Sequence, residues 1–227
     1  SCFVLGNLYQ PVILGEIQNK GLGLDVDIFN DKGKPLKNKK GELVCRNPFP
    51  SMPLKFWNDK SDTKFKNAYF NNFLNIWHHG DYAEVKKNGG FIIHGRSDTT
   101  LNPGGVRLGT SEIYSEVEKF IEIKESIVVG QAWDNDIRIV LFIVLNKKYE
   151  LNADLLKKIK TKIRRNASPK HVPSKIILVD DIPRTKNGKI VELAVKNTIE
   201  GNKIKNKEAL ANPQVIEQYK NLKELNY

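Results

Sequence analysis

The sequence contains few of the residues that build disulfide bonds and metal sites. Among its 227 residues there are two cysteines, one methionine and four histidines. Cys2 and Cys45 lie far apart and form no metal-ligand pattern, which favours reduced cysteines in a cytosolic protein. None of the histidines stands at helical ligand spacing from another or from a cysteine, so we predict no metal site. The histidines are His78, His79, His94 and His171.

Long apolar segments are also missing from the sequence. No apolar run approaches the roughly 20 residues that a helix needs to cross a bilayer, and no secretory signal pattern opens the chain. The first residues, SCFVLGNLYQPVILGE, have no initiator methionine and are typical of strands inside a domain. We therefore expect a fragment of a longer protein that works in the cytoplasm without membrane contact.

The net charge is strongly positive. There are 37 lysines and arginines against 26 aspartates and glutamates, which gives a formal charge of +11. A polyanionic partner would explain such an excess. However, the lysines are scattered among asparagines along the chain, and no nucleic-acid-binding module is recognisable. We interpret the charge as solvated surface with a smaller anion-binding component and expect no nucleic-acid partner, although a basic nucleic-acid-binding module remains the alternative from another class.

Short alternating runs separated by turn residues dominate the first 97 residues. GEIQ, GLGLDVDIF and GELVCR are such runs, and the turn-rich segment between the last two predicts a hairpin. A second predicted hairpin joins residues 82–86 to residues 91–94 through Asn88, Gly89 and Gly90. FKNAYFNNFLNIW predicts a short helix. This part of the chain is therefore expected to be rich in β-structure.

After Asp98 the pattern changes to amphipathic helices and longer apolar strands. DIRIVLFIVLN is nearly continuous in apolar residues, which suits the central strand of a sheet. Residues 127–129 predict a short strand, and SKIILVDDIP predicts another. TSEIYSEVEKFIE, NADLLKKIKTKIRR and IVELAVKNTI predict helices. The order α-β-β-α-β-α indicates a small α+β domain of about three strands backed by helices, and its boundary is expected near Asp98.

Three polar stretches have compositions suited to anion binding. NPGGVRLG combines Gly104 and Gly105, which allow close backbone approach, with the cation of Arg107 and a following helix start. RTKNGK places Lys186 and Lys189 on a tight Asn-Gly turn. In HHGDYAE an aspartate after a glycine, at the predicted mouth of a strand, could bind a ribose diol. Taken one at a time, each stretch is better explained as an ordinary turn.

In their order and separation, these stretches resemble the adenylate-forming acyl-CoA synthetase superfamily. The matching segments are GDYAEV with GGFIIHGRSD, LNPGGVRLGTSEIYSEVE and IPRTKNGK, and the resemblance covers essentially all 227 residues. GELVCRNPFPSMPLKFWND, AYFNNF and NKEALANP are most similar to the branch that activates acetoacetate. The resemblance implies that residues 1–97 are the truncated, β-rich end of the large AMP-binding domain. Residues 98–227 would be the small, mobile C-terminal AMP-binding domain, and the family's phosphate loop would lie upstream.

The resemblance also implies roles for nucleotide-binding and hinge residues. Asp81 matches the aspartate that binds the ribose hydroxyls, and Arg96 matches the arginine that contacts ribose and phosphate. Asp98 matches the hinge residue, and Arg107 matches an arginine near the nucleotide phosphate. Thr99 stands where many members have a second acid, which would alter the electrostatics of the hinge.

The same resemblance implies residues for catalysis and for CoA binding. Lys189 matches the catalytic lysine that bridges the acyl carboxylate and the α-phosphate. Gly105 matches a glycine beside the pantetheine channel, and Arg164 falls where a basic residue meets the CoA phosphates, with Arg165 as the alternative. Residues 184–187 depart from the Lys-Thr-x-Ser pattern that is frequent in the superfamily, so details of this turn are expected to differ.

The implied activity is that of an AMP-forming acid–thiol ligase. It would use ATP, CoA and Mg²⁺ to form acetoacetyl-CoA through an acyl-adenylate, with a domain rotation about Asp98 between the two half-reactions. Acetate and propionate remain alternative acids because the acyl pocket would lie upstream. The 227-residue chain by itself is expected to be inactive.

Overall fold

The computed structural model describes residues 2–204 and 207–226. Asn206, which begins the NKEALANP stretch, lies outside the described residues. The chain divides into two compact units, Ser1–Ser97 and Asp98–Tyr227, called here unit 1 and unit 2. Among the described residues, no helix combines the length and apolar character required to cross a membrane.

Unit 1 is built on antiparallel β-structure. β1 (Val4–Leu5) and β2 (Asn19–Lys20) form a small ribbon. A four-stranded sheet has the order β3-β4-β5-β6. Its strands are β3 (Val26–Phe29), β4 (Lys40–Cys45), β5 (Trp77–Val85) and β6 (Phe91–Arg96). The antiparallel pairs β3–β4 and β5–β6 confirm both predicted hairpins.

Two details of unit 1 differ from the sequence prediction. β5 begins at Trp77, five residues before the predicted start at Tyr82. The GEIQ run forms no strand, and its Ile17 makes an isolated bridge to Phe91 instead. Both differences arise because pairing with neighbouring chain segments, rather than local alternation, sets where a ladder begins and ends.

The core of unit 1 lies beneath the sheet and is rich in aromatic residues. The predicted short helix is confirmed as α1 (Thr63–Tyr69). Tyr69 of this helix stacks on Trp77 of β5, with ring centroids 3.7 Å apart. The buried core residues are Phe3, Val26, Ile28, Leu43, Cys45, Phe49, Trp77, Ala83 and Phe91. The helix is thus attached to the sheet by ring packing.

Unit 2 contains a three-stranded sheet with the order β7-β8-β9. β7 (Ile123–Trp133) and β8 (Asp136–Leu145) form an antiparallel hairpin, and β9 (Lys175–Leu178) pairs parallel with β8. The helices are α2 (Ser111–Val117), α3 (Ala153–Asn166) and α4 (Glu192–Ile199). This order and the central place of β8 confirm the predicted α+β fold. β7 is longer than the predicted residues 127–129, because its ladder with β8 continues to Trp133.

The sheet of unit 2 is covered on both faces. Alternate residues of β8 belong to two different buried clusters, as the period of two in a strand requires. The first cluster combines β8 with α2 and α3 and includes Ile113, Ile139, Leu141, Ile159 and Ile163. The second combines β8 with α4 and the C-terminal segment and includes Val140, Phe142, Val195, Tyr219 and Leu225. A strand buried on both faces explains why its sequence is almost continuously apolar.

Candidate functional site

Asp81 lies within β5, directly opposite Arg96 of β6. The prediction that it lies at a strand mouth is therefore wrong, because the strand begins four residues earlier at Trp77. Arg96 Nη1 donates a hydrogen bond to Asp81 Oδ1 at 3.1 Å, and His79 Nδ1 is 2.7 Å from Oδ2. Burial alone would raise the pKa of Asp81, but His79 and Arg96 outweigh it and hold this pKa below its ordinary value. The carboxylate is thus a charged acceptor that hydroxyl groups can approach.

Gly80 leaves the space that the Arg96 guanidinium occupies. Its φ of +83° is in the left-handed region, and an added Cβ would lie 2.9 Å from Arg96 Nη2. A side chain at this position would be strained by the backbone conformation and would displace the guanidinium. Sequence reasoning assigned no role to Gly80 or His79, although both lie in the HHGDYAE stretch that flagged Asp81.

The proposed hinge lies in a single 3₁₀ turn, Ser97–Thr99. The division between the two units falls between Ser97 and Asp98. The Ser97 hydroxyl donates a hydrogen bond to Glu42 Oε2, and His78 Nε2 lies 2.8 Å from the same oxygen. Sequence reasoning missed Glu42 and His78 in this role.

The glycine pair of unit 2 lies in the 3₁₀ turn Pro103–Gly105, where Gly104 has a φ of +57°. The Gly104 amide donates to both carboxylate oxygens of Asp136 at 2.9 Å. Hydrogen bonds from the Ile137 amide and then the Gly104 amide lower the pKa of Asp136 from its ordinary value. A Cβ added to Gly105 would meet no atom of the described residues within 4 Å. The space beside Gly105 is therefore open, and its φ of +70° still favours glycine.

Arg107 lies just past the glycine pair, on a loop closed across its base. Leu101 and Leu108 exchange two backbone hydrogen bonds, of 2.9 and 2.8 Å, and both side chains are buried. Arg107 Nε donates to Thr100 Oγ1 at 3.0 Å. The loop is thus anchored in the core of unit 2 through its leucines, while its glycines face outward.

Lys189 is exposed on a turn that is braced from several sides. The Thr185 amide donates to the Lys189 carbonyl at 2.8 Å, and the Lys189 amide donates to Thr185 Oγ1 at 3.1 Å. Arg184 Nη1 donates to the Gly188 carbonyl at 2.8 Å, while Nη2 is 3.0 Å from Glu125 of β7. Arg184 therefore stabilises this turn, a role that sequence reasoning did not assign. The turn gives the flexible lysine a rigid base.

Arg164 and Arg165 both lie in the last turn of α3, and both are exposed. Positive side chains at this end interact favourably with the helix dipole. The helix begins with an Asn152 cap that accepts from the Leu155 amide at 2.9 Å.

Within unit 1 the structure brings Asp81 and Arg96 into contact. Within unit 2 the predicted residues occupy three separate elements: the Gly105 loop, the end of α3 and the Lys189 turn.

Comparison with known proteins places these residues in a family. The family described as "AMP-binding enzyme C-terminal domain" matches residues 113–189, a segment that ends at Lys189. The chain is 57% identical over 99% of its length to an acetoacetyl-coenzyme A synthetase from Rhizobium meliloti, of which it covers 35%. It is 45% identical over 99% of its length to an acetoacetyl-CoA synthetase from Xenopus tropicalis, of which it covers 34%.

A solved structure shows the same relationship. The acetoacetyl-CoA synthetase from Streptomyces lividans matches 96% of this chain with a TM-score of 0.91 and 39% sequence identity, over 33% of that structure's own chain. The present chain thus spans about a third of the length of the relatives that it matches. From its ordered motifs, its fold and these similarities, we conclude that the chain belongs to the adenylate-forming acyl-CoA synthetase superfamily.

Proposed function

We propose that this chain works as the C-terminal third of an AMP-forming ligase that joins acetoacetate to CoA. The observation that carries the proposal is 57% identity to the Rhizobium meliloti acetoacetyl-coenzyme A synthetase over 99% of this chain. In the proposed reaction, the carboxylate of acetoacetate attacks the α-phosphate of ATP and releases pyrophosphate. The CoA thiol then attacks the acyl carbon of the adenylate and releases AMP.

Asp81 and Arg96 are proposed to hold the nucleotide. The lowered pKa of Asp81 keeps its carboxylate charged, so it can accept hydrogen bonds from the ribose hydroxyls. The Arg96 side chain is 55% exposed while it contacts Asp81, so part of its guanidinium can also reach a phosphate. The pair would therefore orient ribose and phosphate together.

Lys189 is the proposed catalytic residue for adenylate formation. The attacking carboxylate and the α-phosphate are both anionic, and a lysine between them offsets their repulsion as charge moves in the transition state. One charge pair at about 4 Å contributes roughly 4 kcal/mol before desolvation at an effective dielectric near 20. The exposed side chain on a braced turn suits this task, since its base is rigid and its end can reach a ligand.

Mg²⁺ is proposed to enter with ATP, where it would neutralise phosphate charge. Within the described residues, no group of three or more His, Cys, Asp or Glu side chains could hold a metal ion. In this proposal the phosphates of ATP would supply ligands to the ion. The chain's own contribution to phosphate charge is then the cations of Arg96, Arg107 and Lys189.

Thioester formation is proposed to use a different face of unit 2. Gly105 has open space beside it that a pantetheine arm could use, and Arg164 at the end of α3 could meet the CoA phosphates. Lys189 has no role in this step because no carboxylate then approaches the phosphate. A rotation of unit 2 about Asp98 would withdraw Lys189 from the bound nucleotide and bring the Gly105 loop to it. One hinge would then serve both half-reactions.

Unit 1 is proposed to be the β-rich end of the larger AMP-binding domain. Its surface supports this proposal, since Leu8, Tyr9 and Leu22 are almost completely exposed and line one groove. Exposed apolar clusters of this kind indicate a surface that another part of a protein covers. We further propose that the protein is cytoplasmic, which agrees with its two free cysteines. Its proposed partners are ATP, acetoacetate and CoA rather than nucleic acid.

The test separates the two half-reactions in a chimera where this chain replaces the matching region of the Rhizobium meliloti relative. Lys189→Ala should lower acetoacetate-dependent ATP–pyrophosphate exchange by roughly 100-fold or more. Thioester formation from supplied acetoacetyl-adenylate should stay within about threefold, because the lysine acts only in the first step. Gly105→Leu should show the reverse pattern. Lys186→Ala, on the same turn, is the matched control and should leave both rates unchanged.

Equal loss of both half-reactions in Lys189→Ala would contradict the role of the lysine. Because the acyl pocket would lie upstream of this chain, the choice among the acids is tested by an acid screen on the full-length protein that contains it. A preference for acetate or propionate there would replace acetoacetate as the substrate. A chimera with no activity toward any of the three acids would contradict the proposed function itself.

A further inference from the structure

A buried carboxylate lies beneath the last residue of unit 1. Glu42 is on β4 and is only 5% exposed. Its Oε2 accepts a hydrogen bond from the Ser97 hydroxyl, and His78 Nε2 of β5 lies 2.8 Å from the same atom. Charged groups are seldom buried unless they are paired, so the position of this carboxylate needs an explanation.

Ser97 lies at the point where regular β-structure ends. The ladder between β5 and β6 finishes with the pair Asp81–Arg96, and Ser97 opens the 3₁₀ turn that contains Asp98. The division between the units falls directly after Ser97. The Ser97 side chain therefore joins the end of the sheet to the strand two positions across, at the residue before the proposed hinge.

The position of the bond on β4 is also unusual. The register between β4 and β5 shifts between Glu42 and Val44, which marks a bulge or a similar irregularity of the ladder. Bulges redirect side chains and are frequent beside functional sites. Glu42 pairs with Tyr82 of β5, yet its carboxylate meets His78 of β5 and Ser97 at the end of β6. The shift in register thus lies next to the residue whose side chain reaches across β5.

We propose that Glu42 is a positioning residue that fixes Ser97 to the sheet, so that the rotation begins at Asp98 and not earlier. This inference rests on the proposed function, in which unit 2 turns about Asp98. A hinge confined to a few residues defines the two end positions of a moving domain. If Ser97 were released, the hinge would lengthen by one residue, and consecutive Cα atoms are about 3.8 Å apart. The moving residues would then reach their productive positions less often.

His78 supports this arrangement from the other side. Its Nε2 faces Glu42 Oε2, and its Nδ1 lies 3.3 Å from Asn72 Nδ2. The carboxylate thus meets His78 on its own sheet and Ser97 beside the proposed hinge. Because β4 and β5 hold Glu42 and His78 in place, Ser97 is the member of this trio whose contact can be removed with least effect on the sheet.

The first test measures local exchange in the 227-residue chain. Ser97→Ala should speed amide exchange of peptides covering residues 97–101 by about tenfold, while peptides from β4 and β5 stay unchanged. Ser97→Thr keeps a hydroxyl and should restore slow exchange. Ser61→Ala is the control, since it removes another serine hydrogen bond, to Thr63, that lies away from the hinge. Unchanged exchange at residues 97–101 in Ser97→Ala would overturn the proposal.

The second test measures turnover in the chimera described above. Ser97→Ala should lower kcat of the overall reaction by about tenfold, because a small misplacement of the reacting groups can slow a reaction by this factor or more. KM for ATP should stay within about twofold, since Asp81 and Arg96 are untouched, and Ser97→Thr should rescue kcat. Glu42→Gln should resemble Ser97→Ala if it folds. A fall in melting temperature with normal kcat, or no rescue by Ser97→Thr, would reduce the trio to a structural contact.

The two tests distinguish failure of this inference from failure of the proposed function. An inactive unmutated chimera would contradict the ligase proposal. The exchange measurement would still decide whether Glu42 fixes Ser97. If Ser97→Ala speeds exchange as expected but leaves turnover unaffected, the ligase proposal stands, and the contact between Glu42 and Ser97 has no role in the rotation.

Discussion

The two units bury their apolar residues to very different extents. Unit 2 covers both faces of its sheet with its own helices and its C-terminal segment. In unit 1, Leu8, Leu14 and Leu22 are 100%, 101% and 98% exposed. Unit 2 thus contains the segments needed to complete its core, whereas unit 1 keeps apolar surface that its own chain does not cover. The contrast supports the proposal that unit 1 is one part of a larger domain.

The units also hold their candidate site residues differently. In unit 1, Asp81 and Arg96 lie opposite each other on paired strands and are joined by an ion pair. In unit 2, Lys189 and Arg164 are exposed at a turn and at a helix end. The first arrangement suits a ligand that stays in one place, and the second suits groups that are brought to it by a domain motion.

The largest expected effect separates the two units. Residues 98–227 expressed alone should unfold in one cooperative transition, because both faces of their sheet are covered. Residues 1–97 expressed alone should aggregate or melt broadly, since exposed leucines promote association. Thermal unfolding followed by circular dichroism, together with light scattering, checks both. A cooperative, monomeric unit 1 would break the comparison.

A smaller effect is expected from a matched pair of truncations in the whole chain. Phe142→Ala removes a fully buried ring from the central strand of unit 2 and should cost about 3–5 kcal/mol of unfolding free energy. Leu14→Ala in unit 1 removes a fully exposed side chain and should change stability by less than about 0.5 kcal/mol. Urea unfolding read by hydrogen exchange of peptides from each unit measures the two values. Comparable losses would show that Leu14 is covered in solution.

The smallest expected effect is the pH dependence of unit 1. The folded pKa of Asp81 is lowered, so its stabilising contribution is present above the unfolded value of about 3.9 and is lost as pH falls through the folded pKa. Asp81→Asn should therefore destabilise unit 1 at pH 7, and the difference from the unmutated chain should shrink below about pH 4. Urea midpoints at pH 7 and pH 3, read from exchange of β5 and β6 peptides, measure it. A difference that grows at low pH would contradict the pKa direction.

Much of the fold follows from local patterns in the sequence. Alternation predicts both hairpins of unit 1, and helical spacing predicts α2, α3 and α4. The continuous apolar run of β8 predicts its central position, because only a strand covered on both faces excludes polar residues. These features depend on residues close together in the chain, so a single sequence contains the information.

Sequence motifs identify the candidate site residues, but they do not identify the groups that contact those residues in the fold. The motifs pointed to Asp81, Gly105 and Lys189, whose roles stay predictions. The sequence gives no signal that Gly80 makes space for Arg96, that Asp136 receives the Gly104 amide, or that Arg184 braces the lysine turn. The length of β7 was underestimated for the same reason, since its end depends on the partner strand.

The sequence by itself determined the order of the helices and strands, the change of pattern after Asp98 and the motifs that resemble the superfamily. Only the tertiary structure decided which groups meet, because contacts such as Glu42 with Ser97 join residues 55 positions apart in the chain. Local propensity acts over a few residues, whereas a buried carboxylate is stabilised by whichever polar groups the folded sheet brings to it. The residue before the proposed hinge can therefore be identified in the sequence, whereas the carboxylate that holds it is seen only in the fold.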